Sequence, residues 1–78
     1  MNDYLNNLVQ SIRDGGDDSS AGVLSTAELC FVAIAADRYD LLPPTFGDPI
    51  EAWHRLEPDW RLAVCGWRGW PETYAVGG

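Results

Sequence analysis

Few side chains in this sequence could carry out catalysis or bind a metal ion. The chain has one histidine, His54, and two cysteines, Cys30 and Cys65. A nucleophile needs a base beside it, and a zinc site needs four cysteine or histidine ligands at close spacing. His54, in the stretch EAWHRLE, has no such partner nearby, and the apolar neighbours of Cys30 favour an unreactive thiol. We therefore predict no catalytic residue, no metal site and no cofactor.

Motifs for phosphate, calcium or sugar chemistry do not strengthen the case for an enzyme. There is no glycine-rich phosphate loop, and the stretch DGGDDSSAG lacks the spacing and the final glutamate of a calcium loop. Paired carboxylates could hydrolyse a glycoside, but a chain of 78 residues has little room for a substrate cleft beside its core. We predict that the protein is not an enzyme.

The net charge is the strongest global signal. Twelve aspartates and glutamates stand against five arginines, there is no lysine, and the formal net charge is −7. This charge repels nucleic acids and anionic membranes and attracts basic protein surfaces. We therefore expect a basic protein surface as the partner, with no direct binding of nucleic acid or membrane and with the oligomeric state left open. The alternative is that the acidity only keeps the protein soluble.

Periodicity and capping patterns predict two helices in the first half of the chain. Apolar residues at helical spacing indicate an amphipathic helix over residues 3–14, ended by Gly15. Ser25 and Glu28 form a capping-box pattern before the run AELCFVAIAA. Because this run is apolar on nearly every side, it predicts a buried central helix, which we expect to end near residue 37 or 38.

Two further segments are predicted in the second half. Asp48 is the expected N-cap of a third helix, with Glu51 completing a capping box and Ile50 facing inward. Residues 59–64 are expected to form a fourth helix that ends at Gly66. The alternative for this region is a hairpin, in which RLAVCGW and ETYAV form the two strands.

Together these segments predict an all-α fold, a compact bundle of three to four short helices in a single domain over residues 1–78; the alternative is an α+β fold with a C-terminal hairpin. Residues 15–24 are expected to form a flexible acidic loop, and residues 66–78 an aromatic tail. Cys30 and Cys65 are expected to be reduced and buried, because no export signal is visible at the start of the sequence. The expected location is the cytoplasm.

Carboxylates are concentrated in the middle of the sequence. Six fall within residues 37–59, and a further group surrounds the first loop. Carboxylates several ångströms apart can offer a protein partner the charge pattern that DNA phosphates offer. An acidic face of this kind could occupy a nucleic-acid-binding groove. The residues of this predicted face are Asp14, Asp17, Asp18, Asp37, Asp40, Asp48, Glu51, Glu57 and Asp59.

The four tryptophans suggest two different roles. Trp53 and Trp60 are expected in the core, because a small domain needs their large buried area. Trp67 and Trp70, in the stretch WRGW, follow Gly66 and are predicted to lie beyond the last helix. They either fold back over the helices or form an exposed aromatic anchor for a partner, and we include both in the predicted partner-binding surface.

The chain resembles small acidic proteins encoded by phages and mobile elements, in particular the anti-CRISPR proteins. The resemblance is carried by size, by the charge of −7, by the absence of catalytic motifs, and by the stretch STAELCFVAIAADRYDLLPP followed by PIEAWHRLEPDWR. It implies stoichiometric inhibition of a bacterial defence complex, such as a CRISPR effector, in the host cytoplasm, in some members through mimicry of DNA. Members of this family share no common fold, so no functional residue is carried over. The alternative function is a non-catalytic structural or adaptor module of a phage or mobile element.

Overall fold

A buried helix, α2 (Thr26–Ala35), forms the centre of the fold. The structure, a computed structural model, describes residues 3–16 and 19–76. The predicted capping box at the start of α2 is confirmed, since Ser25 Oγ accepts from Glu28 N–H at 3.2 Å and Glu28 Oε1 accepts from Ser25 N–H at 2.9 Å. The last six residues of the helix are all buried. A helix that is apolar all round must be covered all round, and the other helices do this.

Three helices pack directly against α2, and a short fifth helix packs against α4. The chain runs α1 (Asp3–Arg13), α2, α3 (Pro49–Arg55), α4 (Pro58–Arg68) and α5 (Thr73–Val76). Short 3-10 turns occupy Ser19–Val23, Tyr39–Leu41 and Pro44–Phe46. The described residues contain no strand, so the all-α prediction is confirmed and the hairpin alternative is wrong. Nor does any helix among them combine the length and apolar character that crossing a bilayer requires.

The first helix agrees with its prediction. The apolar stripe of α1 is buried against the core, and the helix ends one residue before Asp14. Gly15 follows with a φ of 85°, the left-handed conformation that commonly ends helices. Within the predicted loop over residues 15–24, residues 19–23 form a 3-10 turn.

The end of α2 differs from its prediction. The helix stops at Ala35, because Asp37 adopts a left-handed backbone with a φ of 59°. Arg38 N–H then bonds back to Ala33 O at 2.8 Å, which closes the last turn. Sequence reasoning missed this end because glycine is the usual residue at such a position, whereas Asp37 is one of the few other residue types that tolerate it.

The predicted start of α3 is confirmed, but two predicted details of this helix are wrong. Asp48 caps the helix by accepting from Ile50 N–H at 2.9 Å, while the reciprocal bond from Glu51 that a capping box requires is not formed among the described residues. Ile50 does not face inward, since 68% of its surface is exposed. The buried side of α3 instead follows Ala52 and continues to Leu56, which leaves Ile50 on the outer side.

The fourth helix is longer than predicted. Gly66 does not end α4, which continues to Arg68. The left-handed position that ends this helix is supplied by Gly69, with a φ of 69°, and Trp70 N–H bonds back to Cys65 O at 3.0 Å. The region predicted as a tail from residue 66 therefore begins with the last turn of α4. Trp67 lies on this helix and not, as was predicted, beyond it.

Candidate interaction surface

All six carboxylates between residues 37 and 59 are exposed. Four of them lie at the beginnings of two consecutive helices. Asp48 caps α3 and Glu51 is in its first turn, while Glu57 directly precedes α4 and Asp59 is in its first turn. Carboxylates at these positions interact favourably with the helix dipole, so each of the four also supports the fold.

The other two carboxylates are paired with arginines of the same chain. Asp40 accepts from Arg38 through both of its oxygens, each at 2.9 Å. The hydrogen bond from Arg38 holds the pKa of Asp40 below its usual value of 3.8. Asp37 lies 3.4 Å from the guanidinium of Arg68. These two carboxylates are exposed, but they offer a partner less free charge than the four at the helix starts.

The loop group is only partly visible. Asp14 is exposed just after α1, where it accepts a hydrogen bond from Gln10 at 3.0 Å. Asp17 and Asp18 lie outside the described residues. Their predicted contact with a partner stays a prediction.

Two arginines converge on the C-terminal end of the central helix. Arg13, at the end of α1, donates to Ala35 O at 3.0 Å. Arg68, at the end of α4, donates to Ile34 O at 3.0 Å. The last carbonyls of a helix carry partial negative charge and lack intrahelical partners, so both guanidinium groups are held at a favourable position. This arrangement joins the first and fourth helices to one end of the second.

The remaining arginines complete a consistent pattern. Arg61 donates to Leu56 O at 3.0 Å and to Ala75 O at 3.3 Å, which ties the end of α3 and helix α5 to α4. Arg55, by contrast, forms no hydrogen bond or ion pair with any residue in 3–16 or 19–76. Four of the five arginines therefore make bonds inside this chain. The carboxylates at the helix starts keep their negative charge at the surface without a neutralising arginine among the described residues.

Trp67 and Trp70 do not form one patch. Trp67, on α4, donates its indole N–H to Asn6 Oδ1 at 3.1 Å, and the Arg13 guanidinium lies 5.8 Å from its ring centroid. It is half-buried and packs on the core, so it joins α4 to α1. Gly69 then reverses the local backbone, and Trp70 packs elsewhere.

Trp70, just after α4, belongs to a second group that includes rings on α3 and α5. Its ring lies edge-to-face with Trp53 at 5.8 Å between centroids and tilted against Tyr74 at 6.2 Å. The Arg68 guanidinium lies 4.6 Å from the Trp70 centroid and 5.9 Å from that of Tyr39, and it donates to the Tyr39 hydroxyl at 3.1 Å. We call the five residues Tyr39, Arg68, Trp70, Trp53 and Tyr74 the aromatic row.

Trp53 and Trp60 pack against the core as predicted, but they are only partly buried. Both rings pack against the buried cluster, and Trp60 meets the buried ring of Phe31 edge-on at 5.6 Å between centroids. Neither is fully buried. Each ring thus has one side on the core and another toward solvent.

His54 and the two cysteines lie in different environments. His54 is exposed on α3, and both cysteines are free and buried, as predicted. Burial raises the pKa of Cys30 and of Cys65, which disfavours the nucleophilic thiolate. Over the described ranges, no three histidine, cysteine or acidic side chains lie close enough to hold a metal ion.

Three residues of this surface were not predicted from the sequence. Tyr39 and Ile50 were not identified as exposed apolar residues, and Arg68 was not identified as the residue that links Tyr39 to Trp70. Tyr39 is 40% exposed and Ile50 is 68% exposed. The signal for Tyr39 was available, since it lies between two charged residues just after a buried helix. Arg68 could not be identified locally, because the groups with which it forms hydrogen bonds and an ion pair come from residues 34–39.

We compared the chain with protein-family models, with curated proteins and with solved structures, and none of them matches it.

Proposed function

We propose that this protein is a non-catalytic inhibitor that binds stoichiometrically to a basic protein surface, in the manner of anti-CRISPR proteins. In this proposal it acts in the bacterial cytoplasm and covers the nucleic-acid-binding surface of a defence complex such as a CRISPR effector. The observation that carries the proposal is a difference between the basic and the acidic side chains in how they are bonded within the chain. The arginines are largely bonded inside the chain, whereas Glu51, Glu57 and Asp59 are exposed and unpaired with any described residue.

This distribution favours a basic partner for a physical reason. An arginine that is bonded to backbone carbonyls or to Asp40 cannot turn outward to contact a partner without losing those bonds. The side chains of Glu51, Glu57 and Asp59 are held by no such bond to a described residue, and the net charge of −7 adds a long-range attraction for cationic surfaces. Association should therefore be fast at low salt and slower as salt rises.

A structural or adaptor role is the second candidate, and one observation favours it. Glu51 and Asp59 occupy the first turns of their helices, where carboxylates stabilise the helix dipole whether or not a partner exists. On this alternative the acidity serves folding and solubility. The two candidate functions make different predictions for variants in which these carboxylates are neutralised. Such variants should bind a basic partner more weakly if the protein is an inhibitor of this kind, and they should lose only stability or solubility if it is an adaptor.

The test is competition for a CRISPR effector. Purified effector complexes of several types are titrated with the protein, and their DNA binding is measured at low and at moderate salt. We expect DNA binding by at least one effector to be lost at a near-equimolar ratio. The triple variant Glu51→Gln, Glu57→Gln, Asp59→Asn should weaken this inhibition about ten- to a hundredfold, since an exposed charge contributes about 0.5–1 kcal/mol.

A matched control is available in the same chain. Asp3 and Asp59 both lie in the first turn of an eleven-residue helix. Asp3→Asn alters the net charge and the helix dipole as Asp59→Asn does, but it lies outside the proposed face. Equal effects of the two single variants, or full inhibition by the triple variant, would contradict the proposed mechanism. The absence of inhibition of every effector would favour the adaptor alternative.

A further inference from the structure

Within the aromatic row, the ring of Trp70 contacts the rings of Trp53 and Tyr74, and Arg68 links Trp70 to Tyr39. Tyr74 is 54% exposed and Tyr39 is 40% exposed, and they lie at the two ends of the row. Trp70 connects them, through a ring contact with Tyr74 and through Arg68, which touches both Trp70 and Tyr39. The row is thus a continuous strip whose ends are open.

An exposed aliphatic side chain lies on the same helix as Trp53. Ile50 precedes Trp53 by three residues on α3, so the two side chains lie on neighbouring positions of one helix face. Trp53 contacts Trp70 at 5.8 Å between ring centroids. Aromatic side chains are enriched at the centres of protein interfaces.

The charges beside the row indicate what would cover it. The cation inside the row, Arg68, is already balanced by Asp37 at 3.4 Å. Glu72, between Trp70 and Tyr74 in the chain, is exposed and pairs with no described residue, and Glu51 is equally free next to Ile50. These two free charges beside the strip are both negative.

This charge argues against two kinds of occupant. A second copy of the chain would bring the same carboxylates and a net charge of −7 against the same surface. A nucleic acid would be repelled for the same reason, although its bases stack well on aromatic rings. A cationic polypeptide segment is attracted by the carboxylates and can stack on the rings.

We propose that the aromatic row binds an arginine-bearing segment of a basic protein, with the partner's guanidinium groups stacked on the exposed rings of Tyr74 and Tyr39. Arg68 shows the geometry within this chain, since its guanidinium carbon lies 4.6 Å from the Trp70 ring centroid. Guanidinium is planar and weakly hydrated, so it stacks on a ring better than the ammonium of lysine does. The proposal rests on the proposed function and adds an anchor to it.

The choice between arginine and lysine gives the test. Two synthetic peptides of equal length, charge and spacing, one alternating arginine with glycine and the other lysine with glycine, are titrated calorimetrically into the full chain. At long range the carboxylates attract both peptides alike, because the two peptides carry the same charge. An arginine preference that comes from stacking on the row, and not from bidentate pairing with carboxylates, must in addition depend on Tyr74 and Tyr39. Stacking on the row should make the arginine peptide bind about three- to tenfold more tightly. The preference should persist as salt rises, because salt screens the carboxylate contribution most strongly.

Surface variants locate the preference. Tyr74→Ser and Tyr39→Ser should each reduce the affinity for the arginine peptide and leave that for the lysine peptide unchanged. Tyr4→Ser is the matched control, because Tyr4 is exposed to a similar extent, 52%, on α1 outside the row. Circular dichroism of each variant establishes that the helices are intact.

Each outcome decides one of the two proposals. Equal affinity for the two peptides, or an arginine preference that survives both row variants, overturns the aromatic anchor and leaves the acidic face standing. Self-association that Tyr74→Ser abolishes would also overturn it, because a second copy would then be the occupant. If neither peptide binds, the proposed function itself fails.

Discussion

The guanidinium carbon of Arg68 lies 4.6 Å from the centroid of the Trp70 ring, and only Gly69 separates the two residues in the chain. The left-handed φ of Gly69 makes this contact possible, because it turns the chain back at the end of α4. Arg68 also bonds to Ile34 O and to the Tyr39 hydroxyl. One half-buried side chain therefore joins the end of α2, the turn that follows it and the aromatic row.

Replacing Arg68 by lysine should destabilise the protein by about 1–3 kcal/mol although the charge is kept. Lysine cannot stack on Trp70 and at the same time reach Ile34 O and Tyr39. The measurement is urea unfolding followed by tryptophan fluorescence. Arg55→Lys is the control, since Arg55 is exposed and unbonded among the described residues, and it should change stability by less than about 0.5 kcal/mol. Similar losses in the two variants would contradict the assigned role of Arg68.

Two glycines three residues apart should respond oppositely to the same substitution. Gly66 lies inside α4 with open space where a Cβ would point, so Gly66→Ala should stabilise the protein by about 0.5–1 kcal/mol. Gly69 has a φ of 69°, so Gly69→Ala should destabilise it by about 1–2 kcal/mol. Thermal unfolding of both variants provides the comparison. A loss of stability in Gly66→Ala would mean that the helix does end there.

Trp67 should affect stability and not peptide binding. Trp67→Phe removes the indole N–H that bonds to Asn6, and Asn6→Leu removes the acceptor. A double-mutant cycle should give a coupling of about 0.5–1.5 kcal/mol in unfolding free energy. Binding of the arginine peptide should be unchanged in Trp67→Phe. A loss of that binding in a folded variant would return Trp67 to the partner-binding surface.

The two buried thiols should be protected from alkylation and should weaken the fold at alkaline pH. Burial raises the pKa of Cys30 and Cys65 above the ordinary value of 9.0. The pKa of each thiol is therefore higher in the folded state than in the unfolded state. The resulting contribution to the free energy of unfolding is fully present below the unfolded-state pKa, and it is lost as the pH rises through the folded-state pKa. Iodoacetamide at neutral pH should modify both thiols only after denaturation. Two free thiols that react at once in native protein would contradict their burial.

The starts of α2 and α3 and the end of α1 could be predicted, whereas the ends of α2 and α4 could not. Ser25 caps α2 through bonds to a residue three positions away, and Asp48 caps α3 through a bond two positions away, so the relevant chemistry is local in the sequence. The end of α4 depended on whether Gly66 or Gly69 takes the left-handed conformation. That choice is made by packing, since continuing the helix places Trp67 beside Asn6, 61 residues away.

The exposed carboxylates of the candidate surface could be predicted from the sequence, but the positions of its tryptophans could not. Exposure of the carboxylates follows from their solvation, and all six between residues 37 and 59 are exposed. The division between Trp67 and Trp70 depends on Asn6 and Trp53, neither of which is near them in the chain. A stretch such as WRGW shows that rings are present, but the direction of each ring is set by distant partners.

The position of carboxylates at helix starts has a consequence for how this sequence can change over generations. A mutation that replaces Glu51 or Asp59 with a neutral or basic residue removes charge from the proposed binding face and also weakens the helix that begins there. Selection for a stable fold would therefore act against such a mutation even where the proposed partner is absent. An acidic surface of this kind can persist without selection for binding, because the same side chains stabilise the folded state.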